Sequence, residues 1–173
     1  ALTFDASWNT ADDARTWSTS FSSSSDTLNP TQEVIPVFIT EEDLDTQSGY
    51  FGVSQILSRT AIARIGLSYT LSKGYLSDPY KFRDQRPETH EHLSLSAGYR
   101  RFLPDADASL QVDYRYYADS WGTDSHTVEL AWAQNLSGSL LTPYVRYYTQ
   151  READFFSVIA AVSYTHLTLP TLL

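Results

Sequence analysis

Apolar and polar residues alternate along most of this chain with a period of two, and helical spacing is scarce. Leu2, Phe4, Ala6 and Trp8 alternate with Thr3, Asp5, Ser7 and Asn9, and Trp17, Thr19 and Phe21 alternate with serines. The pattern is clearest later: Leu93, Leu95, Ala97 and Tyr99 oppose Ser94, Ser96, Gly98 and Arg100. Leu110, Val112, Tyr114 and Tyr116 oppose Gln111, Asp113, Arg115 and Tyr117; Val128, Leu130 and Trp132 oppose Thr127, Glu129 and Ala131; Val145 and Tyr147 oppose Tyr144, Arg146 and Tyr148. A strand sends successive side chains to opposite faces, so each segment reads as a strand with one apolar and one polar side.

The charges sharpen this reading. Asp5, Arg64, Arg100, Asp113, Arg115, Glu129 and Arg146 all fall in the small-polar row, and the apolar row carries Leu95, Val112, Tyr114, Leu130, Trp132 and Val145. One face meeting lipid and the other water, strand after strand, predicts an antiparallel up-and-down transmembrane β-barrel with the seven charges lining its lumen. The spacing gives eight strands, with a ninth starting near Phe156. Most segments run about 8 to 11 residues, close to the ~9–11 that cross a bilayer at a tilt. The inward acids Asp5, Asp113 and Glu129 nearly balance Arg64, Arg100, Arg115 and Arg146, and cross-strand pairing places Arg115 near Asp113 and Glu129. That balance describes a wet, ion-paired lumen rather than a filter of one sign.

Connections alternate in length. Short links fall at Thr10–Ala14, Arg59, Pro104–Asp107 and Asn135–Gly138; longer ones at Ser25–Ser48, Ser72–Glu91, Asp119–Ser125 and Gln150–Phe155. Short turns at one end and long loops at the other are the habit of outer-membrane barrels. Tyr69, Tyr116 and Tyr147 lie towards the long loops and Trp8, Trp17, Tyr99 and Trp132 towards the short turns, as two interfacial aromatic belts require.

Composition removes several alternatives. A formal charge of −9 without a basic cluster makes a poor nucleic-acid binder. With neither cysteine nor methionine, the chain has no disulfide framework and no thiolate site, and Ala1 is not a natural start. No run approaches the ~20 apolar residues of a membrane helix, and Phe155–Val162 falls well short.

Several constellations suggest chemistry, and each has a plainer reading. Glu88, His90, Glu91 and His92 have the look of a metal site, since His-x-His on a strand shares a face, yet no third ligand stands out. Asp78, Asp84, Asp119 and Asp124 are carboxylates for calcium without the spacing of an EF-hand. Ser125, His126 and Asp124 suggest a hydrolase, but neighbours on a strand point oppositely and cannot act as nucleophile and base. The clusters at 114–117 and 144–148 read as girdle and lumen packing, or as a platform for a sugar or aromatic ligand. No catalytic residue, metal ligand or cofactor is therefore assigned.

The stretch Gly74-Tyr75-Leu76-Ser77-Asp78-Pro79-Tyr80-Lys81-Phe82-Arg83-Asp84-Gln85-Arg86-Pro87 is the most distinctive. Together with the segment from Asp113-Tyr114-Arg115-Tyr116-Tyr117 to Asp124-Ser125-His126-Thr127, it resembles the bacterial family DUF3570 over most of Gly49 to Phe156. The resemblance implies an outer-membrane β-barrel longer than this chain and carries over no functional residue. The last residues, Tyr164–Leu173, resemble translated read-through, so residues 1–163 are read as barrel segment and 164–173 as a non-native tail. An odd strand count agrees with a fragment truncated at both ends.

These readings converge on an all-β, partial transmembrane barrel of the Gram-negative outer membrane. The expected role is passive: a porin-like, small-solute channel or a structural barrel, with lipid as its partner. A ligand- or partner-binding barrel using long loops and a Tyr/Arg lumen is the alternative, ahead of a soluble β-sandwich or an outer-membrane enzyme.

Overall fold

The computed structural model describes residues 1–29, 41–78 and 86–155. They form one antiparallel sheet of nine strands: β1 (Leu2–Asn9), β2 (Arg15–Leu28), β3 (Glu42–Ser58), β4 (Ala61–Gly74), β5 (Thr89–Leu103), β6 (Ala108–Asp119), β7 (Asp124–Leu136), β8 (Ser139–Leu141) and β9 (Tyr144–Arg151). Each strand to β7 pairs with the next in sequence, an up-and-down meander. β8 and β9 both pair with β7 and divide the edge anticipated as one strand. The break falls at Pro143, which has no N–H for a ladder; its carbonyl instead accepts from Trp132 N–H at 3.0 Å. The sheet is all-β and open, a partial barrel wall. The ninth strand anticipated near Phe156 and the Tyr164–Leu173 stretch lie outside the described residues.

Cross-strand register confirms the alternation and extends it across the sheet. One row runs Trp8, Trp17, Val53, Ile65, Ala97, Tyr114, Val128, Tyr147. Directly paired residues share a face, so this whole row belongs to the apolar side. The adjacent row on the other side runs Asn9, Thr16, Ser54, Arg64, Gly98, Asp113, Glu129, Arg146. At β1–β2 this row meets a turn, yet on β3 it crosses Ser54, well before the turn at Arg59. Successive strands are therefore staggered, as they must be in a wall that tilts around an axis.

Among the described residues no second layer covers either face. Among the described residues the only buried apolar side chains are Ala108 and Ala133, whereas Phe4, Ile65, Val145 and Tyr147 are each more than half exposed. Water-soluble sheets bury one face against another element. Here cohesion comes from the ladders and from cross-strand neighbours.

The strands depart from expectation in length. β3 has 17 residues, β5 15, and β2 and β4 14 each. The extra length lies at the loop end, where apolar alternation stops but pairing continues through hydroxyls on the charged face. Thr46 Oγ1 and Ser72 Oγ lie 3.3 Å apart, and Ser48 Oγ and Thr70 Oγ1 3.0 Å apart. Two expectations are corrected as a result. Longer strands bring charges onto the apolar side, namely Asp43, Asp45, Lys73, Glu91, Asp124 and Arg151 at the loop end and Arg15 and Arg101 at the turn end. The one-sided rule thus holds for the central band and fails at the margins. The link between β6 and β7 also shrinks to Ser120–Thr123, no longer than Pro104–Asp107 at the opposite end, so the strict alternation of short and longer links fails there.

Candidate functional site

Six of the seven charges assigned to the polar face converge. Arg64 on β4, Arg100 on β5, Asp113 and Arg115 on β6, Glu129 on β7 and Arg146 on β9 line one cavity of about 590 Å³. Contributions from five adjacent strands make this side hollow. Asp5 belongs to the same face but pairs with Ser20 on β2, away from the cavity. The local balance is therefore four arginines against two carboxylates, and the near-neutrality counted over the whole face does not apply inside it.

Asp113 is the electrostatic centre. Arg64 Nη2 donates to its Oδ1 at 2.8 Å, and Arg100 Nη2 to its Oδ2 at 3.2 Å. The Arg64 contact skips a strand, which Gly98 permits. A Cβ at Gly98 would lie 2.6 Å from Arg64 Nε and 2.8 Å from Asp113 Oδ1. The pairing expected for Arg115 is not the one formed. Its register partners are Ser96 and Thr127, and it makes no hydrogen bond or ion pair among the described residues. Glu129 sits directly between Asp113 and Arg146 in the register. Like charges facing each other across a ladder repel, and the arginines around Asp113 and Glu129 offset that cost.

Tyr50 is a wall residue that sequence reading missed. It stands on the charged face of β3 and lies over Gly52 and Gly66, where a Cβ at Gly66 would come 2.7 Å from its hydroxyl oxygen. The glycines give the ring room to lie along the sheet. Their pairing across β3 and β4 is the signal, and it is visible only once register is known.

A second lobe of about 490 Å³ shares Arg115, Thr127 and Arg146 and extends towards the loops. Its wall is aromatic, with Tyr117, Tyr148, Trp121 and His90. Asp119 organises this rim. Its Oδ1 accepts the backbone N–H of Trp121 at 3.0 Å and of Thr123 at 2.9 Å, and its Oδ2 accepts from Tyr117 Oη at 3.0 Å. His90 Nε2 lies 3.3 Å from the same Oδ2, and its ring packs on Trp121 with centroids 4.0 Å apart. Burial pushes the Asp119 carboxyl up, but these donors outweigh it and hold the group below its ordinary value. Opposite it in the register, His92 is held below its ordinary value by burial and by His90.

The other candidate constellations fall into place. His90 and His92 share a face, as anticipated, while Glu91 turns away to accept from Tyr69 Oη at 2.7 Å. Among the described residues no group of three or more His, Cys, Asp or Glu could hold a metal ion. Asp84, one of the four carboxylates considered for calcium, lies outside the described residues. Ser125 and His126 point to opposite faces: Ser125 pairs with Tyr117 and Gln150, and His126 Nδ1 lies 2.8 Å from Tyr114 Oη on the apolar side. No described helix is long and apolar enough to cross a membrane, which says nothing about strands.

Leu95, Val112, Tyr114, Leu130, Trp132 and Val145 all share the face opposite the cavity. An antiparallel meander with a hollow charged side and a bare apolar side is the class that fold and site define. Residues 1–171 match the family described as protein of unknown function (DUF3570), and the chain belongs to it. Neither a curated protein nor a solved structure matches it.

Proposed function

We propose that this chain forms part of the wall of a bacterial outer-membrane β-barrel serving as a passive channel for small solutes, with lipid as its partner. The observation that carries this reading is a coreless sheet with unlike faces. Its central apolar band bears no charge, and its opposite face holds six charges around a hollow. In water the apolar band would be a patch far larger than soluble monomers leave exposed. In a bilayer, lipid takes the place of the missing second layer.

Energetics supports the same arrangement. A charge facing lipid near the midplane costs roughly 2–4 kcal/mol, and the charges on the apolar side sit only at strand margins. Lipid also tolerates no open sheet edge, because unpaired backbone groups there go unsatisfied. The outer edges of β1 and β9 must therefore be paired in the assembled wall. No chemistry is assigned to the site: Asp113 is tied up by two arginines, and Ser125 and His126 face apart.

The test is conductance. The protein is refolded into detergent, added to planar bilayers and compared with a protein-free control. Discrete steps of conductance are expected. A well-folded, detergent-dependent protein that gives none would overturn the channel reading and leave a structural barrel. A protein that stays monomeric in water without detergent would overturn the membrane reading as well.

A further inference from the structure

Two of the four cavity arginines are accounted for by Asp113, and Glu129 stands beside a third, Arg146. Arg115 makes no hydrogen bond or ion pair among the described residues, and its register partners are the hydroxyl residues Ser96 and Thr127. It also stands where the polar cavity opens into the aromatic lobe, since Arg115, Thr127 and Arg146 line both. We infer that Arg115, with Arg146, seats the oxyanion of a small organic acid whose ring lies against Tyr117, Tyr148 and Trp121. This rests on the charged face being a water-filled interior, as proposed above.

A guanidinium presents planar N–H donors that match a carboxylate or phosphate, and it binds such groups in pairs of parallel bonds. Four arginines against two acids leave the hollow positive, although the chain as a whole carries −9. A hollow lined by surplus charge of one sign concentrates ions of the other. Finally, the aromatic wall offers flat surface to a sugar or benzene ring, and it begins where the unengaged guanidinium stands. Asp119 on the same wall is occupied by Trp121, Thr123, Tyr117 and His90, so its charge is already compensated.

The test uses the full chain folded in a non-ionic detergent, so that no anionic headgroup competes. Calorimetric titrations compare glucuronate with glucose and 4-hydroxybenzoate with phenol. At least one acid should bind tenfold or more tightly than its neutral partner, and added salt should weaken it. Arg115→Gln should reduce that affinity at least tenfold and Arg146→Gln should reduce it too, while Arg101→Gln, on the opposite face, should leave it unchanged. If Arg115→Gln fails to fold, Arg146→Gln and competition by inorganic phosphate decide the matter. Acids bound no better than neutral partners, or affinity indifferent to both arginines, would overturn the inference. Conductance is read separately, so a channel without acid binding defeats only this inference, and acid binding without conductance defeats only the channel.

Discussion

At the residue scale, neighbours of equal size on one strand should differ sharply. Val112 and Leu130 face the apolar side, and Gln111 faces the cavity side between Arg100 and Ala131. Val112→Arg or Leu130→Arg should cost roughly 2–4 kcal/mol and block assembly into liposomes, while Gln111→Arg assembles normally. A protease-protection assay on each variant reads the difference, and equal behaviour would contradict the assignment of faces. A milder effect is expected at Gly98. Gly98→Ala should force Arg64 away from Asp113, lowering the urea midpoint by an amount equivalent to about 0.5–1 kcal/mol, because Arg64 is 58% exposed and water screens the pair. These faces were legible in the sequence, since a period of two is a local property. The partners were not. Cross-strand pairing was expected to place Arg115 near Asp113 and Glu129, but the residues that hold Asp113 come from β4 and β5, and Arg64 is 49 positions away. Gly98, which makes that reach possible, reads in sequence as one more small residue.

At the scale of elements, turns and rims decide behaviour. Ser137 and Gly138 connect β7 to β8 with φ of 48° and 103°, the positive pair that a two-residue hairpin turn demands. Apart from its chain neighbours, nothing lies within 4 Å of a Cβ placed on Gly138, so substitution there tests backbone strain. Gly138→Val should destabilise the hairpin by about 1–3 kcal/mol, seen as faster exchange of the Leu136 and Ser139 amides. The β5–β6–β7 rim should respond to acid in two stages. His92 has a folded pKa below its unfolded value of about 6.5, so its contribution is complete above that pH and is lost as pH falls towards the folded value. Asp119 is likewise lowered, so its contribution is complete above about pH 4 and is lost below it. Protection of the Trp121 and Thr123 amides, followed by hydrogen exchange, should fall in both windows, and Asp119→Asn should remove the lower one. Most elements were foreseen, the division of the last edge into β8 and β9 excepted, but their ends were not. In Ser22–Ser25 and again around Ser48, small polar residues occupy both faces, so the periodic signal fades while the backbone goes on pairing.

For the whole molecule, stagger, missing core and one-sided hollow belong to a single design. A curved sheet creates room on its inner side, and that room collects the groups water must solvate. It leaves the outer side unpartnered, which is why its cohesion depends on what surrounds it. Detergent should therefore govern stability more strongly than salt. Thermal unfolding midpoints should rise when micelles are present and shift little between low and moderate ionic strength. The opposite ranking would point to a soluble sheet held by ion pairs. β3 is the longest of the described strands. Its 17 residues, at ~3.3 Å each and inclined by ~40°, span roughly 43 Å of height against an apolar band of about 25 Å. The surplus rises on the loop side as a hydroxyl-walled antechamber, where Thr46, Ser48, Thr70 and Ser72 face one another. In a channel of the kind proposed, a solute entering from the loop side would be sorted there by size and hydration before it reached the cavity arginines.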